Sequence, residues 1–160
     1  MKFQRTVALF SSLLLAAFSV AAQSRAKKDD PDLKEIRDFR LSMDIVERYV
    51  RAFKIATADA GAKKCFDNNP PGNAPTLDAG EKIVNACPPA VADLKTAGLK
   101  PREFLIVTAA LISDIMAVGM KRGGTIKEYP SSISPENAAF IEQNYDKLQT
   151  MLAPLMNGGK

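Results

Sequence analysis

The stretch REFLIVTAALISDIMAVGMK, residues 102–121, is the segment on which the fold prediction mainly depends. Drawn as a helix, it is apolar in nearly every direction, and one narrow stripe holds its polar and small residues: Glu103, Ala110, Asp114, Ala117 and Lys121. A helix that is apolar on most sides is typical of the centre of a helical bundle. We therefore predict that residues 102–121 form a central helix, with Leu105, Ile112 and Met116 facing the core and Asp114 facing water.

A membrane span is the alternative interpretation of the same stretch. Asp114 lies near its middle, and a carboxylate at the centre of a spanning helix costs roughly 2.5–3.5 kcal/mol on insertion. The central helix of a bundle is therefore favoured over a span. We expect no stable membrane span in the chain once its N-terminal leader is removed.

Two further segments show the spacing of helices that pack along a narrow seam. Their apolar residues step by three and four positions, which is the period of one helical face: Ile36, Phe39, Met43, Val46, Val50 and Phe53 in the first segment, and Ala138, Ile141, Tyr145, Leu148, Leu152 and Leu155 in the second. The first seam continues to Thr57 and Ala60, so one uninterrupted helix is expected there. The sequence predicts an all-α fold: a small helical bundle of three longer helices and one or two short ones, stapled by a disulfide.

The two cysteines of the chain are expected to form that disulfide. Small, even numbers of cysteines in exported proteins usually pair, and a Cys65–Cys87 bond would close a loop that contains the turn-rich segment DNNPPGNAP, residues 67–75. The alternative is a redox-active pair, but such enzymes use Cys-x-x-Cys spacing, which this chain lacks. A structural bond is therefore favoured.

The N-terminus has the three parts of a secretory signal. Lys2 and Arg5 precede an uncharged apolar run over residues 6–20, and small residues follow before Gln23. We predict a cleavable signal peptide over 1–22, a flexible N-terminal arm over 23–31 and a single helical domain over 32–160. The protein is then exported, either periplasmic or secreted; an uncleaved membrane anchor is the alternative.

The composition of the chain excludes several kinds of catalytic and metal site. The chain has no histidine, which excludes Ser-His-Asp and Cys-His catalysis, His-ligated zinc or haem, and Cys-x-x-Cys-His haem attachment. Signal removal takes two basic residues and no acid, leaving 20 basic against 18 acidic side chains. Because this balance is nearly even and no basic stripe with interleaved aromatics is present, nucleic acid is not an expected partner. No cofactor and no metal site are predicted.

Two stretches carry a family resemblance: AGLKPREF, residues 97–104, and SPENAAFI, residues 134–141. Together with the signal peptide and the order of helices, they resemble small exported bacterial helical proteins of uncharacterised function. Where such proteins have Ser or Thr as the helix N-cap, this chain has Lys100, which has no side-chain acceptor. The resemblance implies an exported helical fold and transfers no catalytic or binding residue.

Four residues are candidate ligand or partner contacts. Asp114 is the charged residue inside the apolar run, and a buried acid of this kind is a candidate general acid or base; the alternative is that its stripe faces water. Arg122, Lys127 and Tyr129 cluster around Gly123-Gly124, where exposed backbone N–H groups could bind an anion. A plain surface loop is the alternative there. No residue is assigned a catalytic role.

Three function classes remain open. The preferred one is a non-catalytic binding or interaction module of the bacterial cell envelope, whose partner would be a small apolar ligand or an envelope protein. The second is a structural or stress-related envelope protein. The third is a carboxylate-based enzyme centred on Asp114, which requires that side chain to be inward and paired.

Overall fold

The computed structural model describes residues 30–67 and 69–156, so the predicted signal peptide and most of the predicted arm lie outside the described residues. The described part is all-α, as predicted. Its helices are α1 (Pro31–Asp38), α2 (Met43–Ala58), α3 (Ala60–Phe66), α4 (Leu77–Asn85), α5 (Pro88–Ala97), α6 (Pro101–Arg122) and α7 (Pro135–Met156). The three longer helices are α2, α6 and α7, and there are four short ones where one or two were expected.

The extra short helices arise because the expected first helix is interrupted twice. Ser42 is extended and its hydroxyl accepts a hydrogen bond from the Ile45 N–H at 3.3 Å, which separates α1 from α2. Asp59 is also extended, and its carboxylate accepts from Gly61 N at 2.6 Å and Ala62 N at 3.0 Å. Each side chain satisfies orphan N–H groups of the next helix. The apolar period therefore runs through two capping residues that restart the helix.

The central helix α6 contacts α1, α2, α4, α5 and α7. Pro101 occupies its first turn. The Lys100 side chain has no acceptor for the first N–H groups of the helix, but the Glu103 carboxylate accepts a hydrogen bond from the Lys100 N–H at 3.3 Å, which is half of a capping box. The core around α6 is built mainly from fully buried aliphatic residues: Val46, Val84, Val107, Val118, Ile141 and Leu148.

Arg102 ties α1 and α4 to the start of α6. Its guanidinium donates to both oxygens of Glu35, at 2.8 and 2.6 Å, to Asp78 at 2.6 Å and to Glu81 at 3.2 Å. The hydrogen bonds from Arg102 lower the pKa of the Glu35 carboxyl. α1 has no buried residue of its own, so this ion-pair network is a main anchor of that helix.

α5 is fixed to α2 at its C-terminus. Gly98 adopts φ 81°, the left-handed conformation that glycine accepts without strain. Arg48 donates to the Gly98 carbonyl at 2.8 Å and Arg51 to the Ala97 carbonyl at 3.1 Å. The two arginines therefore satisfy carbonyls that the helix leaves without partners.

Cys65 of α3 and Cys87, the residue before α5, form the predicted disulfide, with their Cα atoms 5.9 Å apart. Cys87 is buried, whereas Cys65 lies at the surface. The bond joins α3 to the start of α5 across the segment that contains α4. A disulfide is typical of proteins in an oxidising, exported environment.

α6 is the helix of the described residues that is long and apolar enough to cross a membrane by composition, with a mean hydropathy of 1.8. Of that apolar window, 44% is buried inside the bundle. The central helix of a bundle can have the same length and composition as a span, so these two properties do not distinguish the two.

Candidate functional site

α6 faces the core with the side that was expected to face water. Asp114 is 3% exposed, and Ala110 and Ala117 on the same stripe are also buried. Ile112 and Met116, predicted to face the core, are 56% and 50% exposed. The predicted orientation is therefore wrong for this part of the helix. The small residues around Asp114 allow neighbouring helices to approach closely, and that contact turns the stripe inward.

Asp114 is a buried carboxylate without full hydrogen bonding. Its Oδ1 accepts from the Ser113 hydroxyl at 3.1 Å, and its Oδ2 is buried with no partner among the described residues. Burial raises the pKa of Asp114 above its usual value, and the neighbouring Ser113 hydroxyl and Asn137 amide offset this only in part. Burial therefore favours the neutral carboxylic acid more than water does.

Asn137 is a buried polar residue near Asp114 that no sequence pattern singled out. It is 2% exposed; its Nδ2 donates to the Phe39 carbonyl at 2.9 Å, and its Oδ1 accepts from the Leu41 N–H at 3.1 Å. Ser134 caps α7 by accepting from the Asn137 N–H at 3.0 Å. The Asn137 side chain thus joins the first turn of α7 to the connection between α1 and α2.

We predict that Asn137→Ala destabilises the protein by about 2–4 kcal/mol, because it leaves a buried N–H and a carbonyl without partners and each such group costs about 1–3 kcal/mol. Chemical denaturation measures the loss. Asn144→Ala is the matched control, since the Asn144 amide donates to the Phe140 carbonyl within the same helix at 2.8 Å. Equal losses for the two variants would contradict this role of Asn137.

The outer stripe of α6 consists of Ile112, Met116 and Met120, with Met120 41% exposed. These residues are spaced by four positions and therefore lie in one row along the helix. Among the described residues they are three of the four large apolar side chains that are exposed, the other being Leu33. An exposed apolar row on the side of α6 away from Asp114 is a candidate contact surface.

One of the predicted contacts, Tyr129, packs between the C-terminal end of α6 and α7. Lys121 lies over the Tyr129 ring, with Nζ 4.1 Å from its centroid, and also pairs with Glu142 of α7 at 3.4 Å. The Tyr129 hydroxyl donates to the same Glu142 carboxylate. Burial and the carboxylate raise the pKa of Tyr129 to about 12, while the hydrogen bonds from Tyr129 and Lys121 lower the pKa of Glu142.

Arg122 makes a similar set of contacts one residue further on. Its guanidinium stacks over the Tyr145 ring at 4.4 Å and lies 3.9 Å from Asp146. Gly119 makes this packing possible, since a Cβ at that position would lie 2.9 Å from the Tyr145 hydroxyl oxygen. Lys127 is exposed, and none of the ion pairs among the described residues includes it. Arg122 is therefore engaged with α7, and anion binding at this loop stays a prediction.

An open groove lies between α2 and α7. It has a volume of about 360 Å³ and is lined by apolar and charged side chains: Glu47, Val50, Arg51, Lys54, Ile55 and Met151. Asp114 is not among the lining residues. Within the described residues, no group of three or more Cys, Asp or Glu side chains is arranged to hold a metal ion.

The fold and these features define a disulfide-linked, all-α bundle with a buried acid and an exposed apolar stripe on its central helix. Comparison with known proteins finds no matching family model, no matching curated protein and no matching solved structure. The function is therefore argued from the geometry of the chain itself.

Proposed function

We propose that this chain is a non-catalytic interaction module of the bacterial cell envelope that binds a partner protein through the outer stripe of α6. The observation that carries the proposal is the row of Ile112, Met116 and Met120, which are 56%, 50% and 41% exposed. Leaving large apolar side chains in water has a free-energy cost, and a continuous exposed row therefore supports a surface to which a partner binds.

The composition of the stripe suits a protein partner. Two of its three residues are methionines, whose flexible side chains adapt to different apolar surfaces. Ser113 and Ala109 lie beside the row and are small, so a partner side chain could approach the helix between the larger ones. The row spans nine residues, or about 12 Å along the helix axis, which is roughly the length of two helical turns of a partner.

The placement in the envelope rests on two features of the chain. The first is the N-terminal segment with the pattern of a signal peptide, and the second is the Cys65–Cys87 bond, which is typical of exported proteins. Intact-mass measurement of the exported protein should show the loss of about the first 22 residues. Full-length chain in the membrane fraction would contradict cleavage.

A carboxylate-based enzyme centred on Asp114 has less support. A substrate would have to reach a side chain that is 3% exposed. Glu103, the other acid of the same stripe, is eleven residues away, or about 16 Å along the helix, which is too far to act as its partner carboxylate. A structural or stress-related role is not favoured by any particular contact in the described part of the chain.

Photo-crosslinking in the native host tests the proposal. A benzophenone side chain at position 116 should give one discrete protein adduct, and the same label at the exposed Ala139 of α7 should not. Adding Ile112→Glu to the position-116 label should remove the adduct, because a carboxylate in the row is costly to bury in an apolar contact without a compensating charge. An adduct to a second copy of the chain would identify that copy as the partner. Lipid adducts alone, or equal labelling at both positions, would overturn the proposal.

A second candidate is binding of a small amphiphilic anion in the groove between α2 and α7. The groove has a volume within the usual range for ligand sites, and it combines the apolar Val50, Ile55 and Met151 with the cations Arg51 and Lys54. A fluorescent fatty-acid analogue should then bind saturably and more weakly to Lys54→Glu than to Lys147→Glu, whose side chain is exposed on α7. Absence of saturable binding would eliminate this candidate.

A further inference from the structure

Three segments meet around the side chains of Asp114 and Asn137. Asp114 comes from α6, Asn137 from the first turn of α7, and the backbone of Phe39 and Leu41 from the connection between α1 and α2. Asp114 and Asn137 are 3% and 2% exposed. The amide of Asn137 holds both backbone groups of the connection, and it lies near enough to Asp114 to lower the pKa of that carboxyl. A change in the charge of Asp114 therefore occurs next to Asn137, the residue that joins the three segments.

The carboxylate Oδ2 of Asp114 is buried and has no partner among the described residues. An ionised carboxylate in such a position keeps its full desolvation cost, whereas a neutral carboxyl is far less costly to bury. A buried acid that served only packing could be replaced by an apolar residue without this cost. Because Asp114 lies at the junction, its protonation state affects how stably the three segments pack together.

No charged group of the described residues compensates Asp114. The charged groups on the helices that pack around α6 are mostly engaged with one another, in the pairs Arg40–Glu136, Arg48–Asp44, Lys34–Asp38, Arg37–Asp38, Lys121–Glu142, Arg122–Asp146 and the Arg102 network with Glu35, Asp78 and Glu81. Asp93 of α5 and Glu103 of α6 are further acids, and neither they nor any cation contributes to the pKa shift of Asp114.

We propose that the Asp114–Asn137 junction is a proton-controlled latch. With the Asp114 carboxyl neutral, the first turn of α7 and the α1–α2 connection stay fastened to α6. When the carboxyl loses its proton to solvent, the charge draws water into the junction and Asn137 releases Phe39 and Leu41. The latch is independent of the outer stripe, which lies on the opposite side of α6, so the proposed partner binding can fail without affecting it.

The direction of the pH dependence follows from the raised pKa of Asp114. Below the pKa that the residue has in the unfolded chain, the carboxyl is neutral in both states and the stability of the closed junction is fully present. As the pH rises through the higher pKa of the folded state, that stability is lost. The junction should therefore be tighter in mildly acidic than in alkaline solution.

Hydrogen exchange at the Leu41 amide tests the latch in the full chain, because that N–H donates to Asn137. Between about pH 3, below the usual aspartate pKa of about 3.9, and about pH 8, its protection factor should fall about tenfold for each unit by which the pKa of Asp114 in the closed junction exceeds its pKa in the open one. Asp114→Asn and Asp114→Ala, which cannot ionise, should each lack this fall. Asp146→Asn, at a side chain that is 92% exposed, should retain it.

The reference signal is the amide of Leu148, which lies in the core of α7 and is fully buried. Its protection should change much less with pH than that of Leu41. An unchanged Leu41 protection factor in the wild type, or the same fall in the Asp114 variants, would overturn the latch. A parallel fall at Leu41 and Leu148 would also overturn it, because that pattern means global rather than local opening.

Discussion

Leu111→Ala should lower the free energy of unfolding by about 3–5 kcal/mol, whereas Ile112→Ala should lower it by less than about 0.5 kcal/mol. The two residues are neighbours on α6, and their side chains are isomers that differ only in where they branch. Leu111 is 2% exposed, whereas Ile112 is 56% exposed. Truncating Leu111 removes buried methyl groups and leaves a cavity, while truncating Ile112 removes atoms that already lie in water. Urea denaturation of both variants measures the difference.

This pair reports directly on the rotation of α6. A large loss at Ile112 with a small loss at Leu111 would mean that the helix presents the face first expected from its sequence, with Asp114 outward. Comparable losses would mean that both faces of the helix are covered. Either result would remove the basis for the outer stripe.

Replacing both cysteines by alanine should cost about 3 kcal/mol, because the Cys65–Cys87 bond closes a loop of 22 residues in the unfolded chain. For a domain of this size the melting temperature should fall by about 10 °C. Calorimetry of the double variant measures the shift. The bond also joins α3 to the start of α5, so the segment between them, which contains α4, should lose its structure first on heating.

Treatment with a reductant provides the matched control. It should lower the melting temperature of the wild type by a similar amount and leave the double variant unchanged. An unaltered melting temperature after full reduction would show that the bond is not structural. In that case the redox alternative for the two cysteines would regain support.

Much of the fold could be predicted from local sequence signals. The two seams of apolar residues in α2 and α7, the apolar composition of α6, and the prolines at the start of α5, α6 and α7 all indicate helices that the structure contains. The cysteine pairing followed from there being only two. These features depend on residues that are close together in the chain, so helical period and capping residues are sufficient to predict them.

The orientation of α6 could not be predicted in the same way. When a helix is apolar on most sides, its period does not distinguish the core side from the exposed one. The expected orientation rests on the assumption that a charged residue faces water, which is the usual case. The structure reverses it because helices packed around α6 cover the small residues next to Asp114, and their approach depends on the whole bundle.

The role of Asn137 was missed for a related reason. The sequence shows it three residues after the capping Ser134, which explains its backbone contact but not its side chain. Its side-chain partners, Phe39 and Leu41, are 98 and 96 positions away. No local pattern links residues at such a separation, so the junction becomes visible only when α6 and α7 are in place.

An NMR titration of the Asp114 side-chain carboxyl tests whether α6 buries Asp114 and exposes its apolar stripe. The Cγ resonance, assigned by comparison with Asp114→Asn, should titrate with a midpoint clearly above the usual value for aspartate of about 3.9, because burial raises the pKa of this carboxyl. A midpoint at or below that value would show that Asp114 faces water, and would contradict both the orientation of α6 and the latch.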